Sequence, residues 1–173
     1  LGIAALYDKL LKPALQGTVL ADLRCDGRAD VAVELRDGKV TAVDLAFRKL
    51  ALEDKGRRFA LFGLDGNLPW RSDEASTAQL RVAGGEVLHL PFGAFDLPLE
   101  LRGLTVRTRQ VQIPVLDGGL TVSDFAADGA GKTWRWSYSG GITPVSMQQF
   151  TTALGLPVMH GTLSAVIPTV SYQ

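Results

Sequence analysis

Few side chains in this sequence combine the types and spacing that catalysis requires. The two histidines, His89 and His160, each stand among apolar residues, with no Asp, Glu or Cys nearby at metal-ligand spacing. Imidazole acts as a general base or a metal ligand when a neighbouring group orients it. The sequence therefore favours a structural role for both histidines over a catalytic one.

Two pairs of adjacent carboxylates have the residue types that glycoside hydrolysis uses. They are Glu53-Asp54 and Asp73-Glu74. Because neighbours along a strand point to opposite faces, we interpret both pairs as solvated turns. The segment from Gly161 to Ala165 lacks the central serine and the closing glycine of a nucleophile elbow. The sequence thus predicts no catalytic residue, no metal site and no cofactor.

Aromatic side chains alternate along one segment, at Trp134, Trp136 and Tyr138. On a strand they would share one face, where they either fill a core beneath a helix or line an apolar groove. Residue type alone favours the core. Three nearby arginines could meet a phosphate headgroup, but an exposed cationic face is the favoured interpretation. They are Arg102, Arg107 and Arg109.

The elements that carry these residues are predicted to be strands. Asp-Gly dipeptides separate runs of alternating apolar and polar residues, a pattern typical of type I′ hairpin turns. Five occur, at Asp26-Gly27, Asp37-Gly38, Asp65-Gly66, Asp117-Gly118 and Asp128-Gly129. The Gly84-Gly85 pair predicts a further hairpin, and Gly103 predicts a bend. A change of phase after Phe47 predicts a bulge near Lys49.

Two short helices are predicted, near residues 2–15 and 144–154. The first has apolar residues at the three-and-four spacing of an amphipathic helix. In the second, Thr143 and Pro144 have the types of an N-cap and a first helical residue, and Gly155 suits the end. The predicted fold class is mainly β: a curved antiparallel sheet that forms a groove or half-barrel, with these two helices.

Length and composition limit the possible functions. The chain has 173 residues, which suits a single β-rich domain over 1–173, and its 18 Lys and Arg balance 18 Asp and Glu. Without excess positive charge, nucleic acid is an unfavourable partner. Cys25 is the only cysteine, which excludes an internal disulfide and a cysteine-built zinc site. The chain starts at Leu1 and stops at Gln173 in a predicted strand, so we expect an internal fragment of a longer protein.

Three segments near the C-terminus carry a resemblance to a known family. They are Leu116 to Leu120, Phe150 to Pro157 and Gly161 to Tyr172. In order, they give a Leu-Asp-Gly turn, a short helix ending in Ala-Leu-Gly-x-Pro, and Gly-Thr-Leu-Ser followed by Ile-Pro and a tyrosine. This order resembles the YdbH-like branch of the AsmA-like envelope proteins of Gram-negative bacteria, a branch also labelled a dicarboxylate-transport domain. The preceding hairpins agree with that branch in pattern only.

The resemblance implies a periplasmic β-groove that conducts phospholipids between the inner and outer membranes. In the full-length protein it implies an inner-membrane tether and a small outer-membrane lipoprotein as a partner, with phospholipid acyl chains as cargo. It offers no catalytic residues. The alternating apolar positions suggest the groove lining, although alternation does not say which face is concave. The candidates are Val31, Val33, Val43, Leu45, Phe47, Phe62, Trp134, Trp136 and Tyr138.

Other functions stay open at this point. A closed β-barrel could carry one small apolar ligand. A purely structural or adhesive envelope module would have its aromatic side chains fully packed, and the helices could plug a groove. An enzyme is the weakest alternative, which loss of an activity on changing His89 or His160 would revive.

Overall fold

Almost every described segment of this chain is a strand of one antiparallel sheet. The structure is a computed structural model that describes residues 23–129 and 134–172. Its elements are β1 (Leu23–Arg36), β2 (Lys39–Asp54), β3 (Phe59–Arg71), β4 (Ala75–Val82), β5 (Gly84–Val87), β6 (Leu90–Phe92), β7 (Phe95–Arg102), β8 (Thr105–Val115), β9 (Gly118–Asp128), β10 (Arg135–Ser146), α1 (Met147–Ala153) and β11 (Thr162–Tyr172). This part of the chain contains one helix, and the helix predicted near residues 2–15 lies outside it.

The sheet is an antiparallel meander in which successive strands pair, except that β4 pairs with β7 and not with β5, and β6 does not pair with β7. β4 and β5 lie end to end beside β3, while β6 and β7 lie end to end beside β8. The path therefore amounts to nine long limbs, which span roughly 38 Å at the usual inter-strand spacing. Among the described residues, β1 and β11 each pair with one neighbour, so the sheet is open at both edges. The predicted curved antiparallel sheet is confirmed.

Two Asp-Gly dipeptides bend the sheet instead of ending strands. Gly27 lies inside β1 and Gly66 inside β3, with φ of 117° and 131°. Both face the register shift around Lys49 in β2, whose backbone N–H donates to Asp65 Oδ1 at 2.9 Å. This row of bulges across three strands increases the local twist and bends the sheet. The bulge predicted near Lys49 is confirmed, and the hairpin turns predicted at Asp26-Gly27 and Asp65-Gly66 are wrong.

The remaining Asp-Gly dipeptides lie at or beside strand ends. Asp37-Gly38 forms the predicted turn between β1 and β2, with φ of 51° and 74°. In the turn between β8 and β9 the positive φ falls on Leu116, one residue before Asp117. Asp128 ends β9, and the connection to β10 includes residues 130–133, outside the described part. An Asp-Gly dipeptide thus predicts that a strand is interrupted, but not whether the interruption is a turn or a bulge.

The hairpin predicted at Gly84-Gly85 is wrong. Both glycines belong to β5, which continues along β3 beyond β4. The reversal comes at Leu88-His89, where both residues have positive φ and the chain enters β6. Gly103 takes part in the tight turn between β7 and β8, in agreement with the predicted bend.

The helix begins later than predicted. Thr143 and Pro144 belong to β10, and Ser146 is the residue that precedes α1. Thr143 pairs with Gly119 of β9, and Pro144 lies at a register shift against β11 where a missing N–H is tolerated. Pairing with β9 and β11 therefore keeps Thr143 and Pro144 in a strand, although their residue types suit the start of a helix.

Asp54 is buried at the end of β2, so the solvated turn predicted there is wrong. Arg58 Nε and Nη2 donate to its two carboxylate oxygens at 2.8 and 2.9 Å, and Arg58 N–H donates at 3.1 Å. These hydrogen bonds hold the pKa of Asp54 well below its usual range, with burial opposing them. The pair fixes the loop of residues 55–58 that joins β2 to β3.

We expect this carboxylate to make the fold sensitive to acid. Because the folded pKa of Asp54 lies below the unfolded value of about 3.9, the unfolded chain takes up the proton first. The stabilisation is complete above about pH 5, begins to fall at about pH 4, and is lost progressively as the pH drops toward the folded pKa. In urea unfolding, Asp54→Asn should lower the midpoint at neutral pH and flatten its acid dependence. Glu53→Gln, next to Asp54 but with a half-exposed side chain, is the control. Parallel pH profiles for Asp54→Asn and the unchanged chain would contradict the assignment.

Candidate functional site

One face of the sheet can be followed from the first strand to the last, because cross-strand partners in an antiparallel pair share a face. Val33 pairs with Val43, which pairs with Trp70. Further along, Ala127 of β9 pairs with Trp136 of β10, which pairs with Tyr172 of β11. We call this the inner face. Its side chains include Ala29, Val31, Val33, Val43, Leu45, Phe47, Leu68, Trp70, Ala78, Leu80, Leu97, Leu99, Leu101, Val106, Ala127, Trp136, Tyr138, Val170 and Tyr172.

The sheet curls around this face. A buried cluster lies on it, formed by Ala29, Leu50, Leu64, Leu80 and Val82, whose strands span β1 to β4. Cα atoms of β3 and β7 approach within 8 Å although β4 lies between them. Two flat strands with one strand between them would be about 9.6 Å apart. The Trp70 side chain of β3 spans the same gap, because its Nε1 donates to the carbonyl of Gly103 in the β7–β8 turn at 2.6 Å. The inner face is therefore the concave one.

Toward both edges of the sheet, the inner face is incompletely covered. On β1 and β2 the exposed side chains are Val33, at 46% exposure, Leu35 and Val40. On β11 they are Val170 and Tyr172, the latter at 60% exposure. The centre of the curl is thus filled by its own side chains, whereas its two flanks present apolar surface to solvent. Such surface can bind a ligand by hiding its hydrocarbon from water.

Three aromatic rings form a stack on the flank near β11. Trp136 lies between Tyr138 and Tyr172, with ring centroids 5.7 Å apart in both pairs and interplanar angles of 22° and 20°. Sequence reasoning missed Tyr172, although its alternation with Val170 was a usable signal. Trp134 does not share this strand face as predicted. It precedes β10, and its indole lies against Gly129.

Phe62 lies on the opposite face from the other predicted lining residues. Gly63, with φ of 60°, interrupts the alternation of β3. Leu61 pairs with Leu52 and packs against the buried cluster, so Phe62 points the other way and is exposed. The structure brings the remaining strand residues of the set together on the inner face. They are Val31, Val33, Val43, Leu45, Phe47, Trp136 and Tyr138.

The outer face is charged where the inner face is apolar. Arg71 makes a two-armed ion pair with Asp44, at 2.8 and 3.2 Å, and Arg109 lies 3.6 Å from Glu100. Further cross-strand pairs join Arg24 to Glu53, Arg48 to Asp30, Arg81 to Asp96 and Arg135 to Asp128. Exposed pairs of this kind add little stability. They keep this side of the sheet soluble, which leaves the inner face as the one suited to apolar ligands.

A site for bond chemistry is not found in the described ranges. Within residues 23–129 and 134–172, no group of three or more His, Cys, Asp or Glu is placed to hold a metal ion. His89 lies in the turn between β5 and β6, His160 in the loop after α1, and both are exposed. An open depression of about 480 Å³ on β1 to β3 has a mainly apolar lining, with Asp30, Asp44 and Asn67 as its polar residues.

Comparison with known proteins adds no further constraint. No family model, curated protein or solved structure matches the chain. Among the helices of the described residues, none has the length and hydropathy to cross a bilayer. The functional argument therefore starts from the concave apolar face and its two exposed flanks.

Proposed function

We propose that this chain is a segment of a lipid-conducting groove, in which the inner face shelters phospholipid acyl chains while headgroups stay in solvent. The continuity of the inner face across all nine limbs carries the proposal. Each methylene removed from water contributes about 0.8 kcal/mol, so a long apolar surface binds acyl chains without any specific polar contact. A conduit of this kind needs an apolar path and no catalytic group. The inner face is apolar at most of its positions, with Ser76 opposite Leu101 and Thr108 two residues along β8 from Val106 as polar exceptions.

The cellular setting follows from the resemblance of the segments after Leu116 to the YdbH-like branch of the AsmA-like proteins. On that basis we place the groove in the periplasm, between the inner and outer membranes. The inner-membrane tether and the small outer-membrane lipoprotein would belong to the full-length protein. Within residues 23–129 and 134–172, β1 and β11 each leave one edge unpaired, and such edges would allow further strands to continue a groove.

Two alternatives have less support. A closed-barrel carrier requires its first and last strands to pair, whereas β1 and β11 each have a single partner strand in the described part of the chain. A purely structural module would bury its aromatic and aliphatic side chains, whereas Val33 and Tyr172 are exposed on the concave side.

Native mass spectrometry of the purified chain, incubated with phospholipid, distinguishes these functions. A groove predicts bound phospholipid in more than one copy number, since an open apolar path has no fixed stoichiometry. A single small ligand at one copy per chain would support the carrier instead. A chain that stays free of lipid at every lipid concentration would contradict the groove and support the structural module.

A further inference from the structure

Backbone strain is concentrated at one rim of the sheet. Strand directions place the β2–β3 loop, the β5–β6 turn, the β8–β9 turn and α1 at the same rim, which we call the lower rim. Seven described residues other than glycine have positive φ, and four of them lie there. These four are Arg57, Leu88, His89 and Leu116. Positive φ is unfavourable for residues with these side chains, so the turns at this rim have conformations that their residue types do not favour.

The β5–β6 turn has an unusual composition for its conformation. Its two central residues, Leu88 and His89, have φ of 50° and 70°, the arrangement that Asn-Gly and Asp-Gly adopt most easily. The β1–β2 turn uses the favoured Asp37-Gly38 at the same two positions. Leu88 is 61% exposed, so it contributes little to the core. The core therefore gives little reason for a leucine at this tip.

Cationic side chains lie beside this turn. Leu88 N–H donates to the carbonyl of Arg58 at 2.8 Å, which holds the turn against the β2–β3 loop. Arg58 is paired with buried Asp54, whereas Lys55 and Arg57 are exposed and, among the described residues, in no ion pair. Glu86 directly precedes the tip, is half-buried, and pairs in register with Ala60 of β3. An exposed apolar tip is thus flanked by two available positive charges.

We propose that this tip, formed by Lys55, Arg57, Val87, Leu88 and His89, docks the lower rim onto an anionic lipid bilayer. Leu88 would enter the boundary between headgroups and acyl chains, while Lys55 and Arg57 contact lipid phosphates. Apolar insertion combined with basic side chains is the usual basis of peripheral membrane binding. The exposed Val87 extends the apolar part of the tip. This surface is separate from the inner face, so the proposal does not depend on the groove.

Sedimentation with phospholipid vesicles tests the tip on the 173-residue chain. Vesicles of phosphatidylcholine with phosphatidylglycerol should bind the chain, and vesicles of phosphatidylcholine alone should bind it much less. Replacing Leu88→Asn together with His89→Gly gives the turn its favoured residues, so this variant should fold at least as stably. We expect its affinity for the anionic vesicles to fall about ten-fold, through loss of the leucine. Lys55→Gln and Arg57→Gln should each weaken binding roughly five-fold and reduce its salt dependence.

Leu104 provides a matched control, because it is also an exposed leucine in a tight turn but lies at the opposite rim. Leu104→Asn should leave vesicle binding unchanged. Three results would overturn the proposal: no binding by the unchanged chain, equal binding to neutral and anionic vesicles, or undiminished binding by the Leu88→Asn, His89→Gly variant. If Val33→Glu on the inner face abolished sedimentation while the tip variant did not, the groove rather than the tip would be the membrane contact.

Discussion

A glutamate at Val33 should weaken phospholipid binding by the chain at least ten-fold, whereas a glutamate at Ala32 should leave binding nearly unchanged. The two residues are neighbours on β1, but Val33 faces Val43 on the inner face and Ala32 faces Asp44 on the outer face. An ionised carboxylate among acyl chains costs several kcal/mol, and about 1.4 kcal/mol already corresponds to a factor of ten. Both residues are exposed, so neither change should unfold the chain.

The opposite flank offers a second matched pair. Val170 faces Tyr138 on the inner face, and Ser171 faces Ser137 on the outer face. If acyl chains lie in a groove between both flanks, Val170→Glu should weaken binding like Val33→Glu, and Ser171→Glu should not. Titration of each variant with a phospholipid that carries a fluorescent acyl chain gives the dissociation constants, and circular dichroism confirms that the variants are folded. Equal affinities within the two pairs would refute the inner face as the lipid site.

These pairs depend on face assignments that sequence alone could supply only in part. Alternation correctly grouped Val31 with Val33 and Trp136 with Tyr138, because a regular strand has a side-chain period of two. It failed at Phe62, since Gly63 inserts a bulge that no local pattern distinguishes from a regular strand. Tyr172 was missed because its partner Trp136 is distant in sequence, although its alternation with Val170 was a signal. The lining of a curved sheet is therefore set by bulge positions, which depend on pairing between strands.

Asp-Gly dipeptides show the same limit in the fold. Asp-Gly dipeptides marked points where strands bend or end, because aspartate and glycine adopt positive φ more easily than other residues, but several chain reversals carry no such dipeptide. Whether such a residue reverses the chain or bends it depends on the neighbouring strand. Asp37-Gly38 lies at the end of β1 and forms a turn. Asp65, in contrast, accepts a hydrogen bond from the backbone of Lys49, and β3 stays paired to β2 through this point. Only long-range hydrogen bonds distinguish the two outcomes.

The row of bulges implies that Gly66 is among the least replaceable residues of the sheet. Its φ of 131° is strained for any residue with a side chain, and an added Cβ would collide with the carbonyl oxygen of Gln79 on β4. The backbones of Gly66 and Gln79 are both paired within the sheet, so neither can move away without breaking that pairing. We therefore expect Gly66→Ala to lower the free energy of unfolding by about 3 kcal/mol or more, a large part of the stability of a typical domain.

Gly38→Ala separates the two causes of that loss. Gly38 also has positive φ, at 74°, but an added Cβ there would meet no atom within 4 Å. Its replacement carries only the backbone cost, about 1 kcal/mol. Urea unfolding of both variants measures the difference. A Gly66→Ala variant no less stable than Gly38→Ala would show that β3 and β4 do not pack this closely, and the curl that makes the inner face concave would lose its main structural cause.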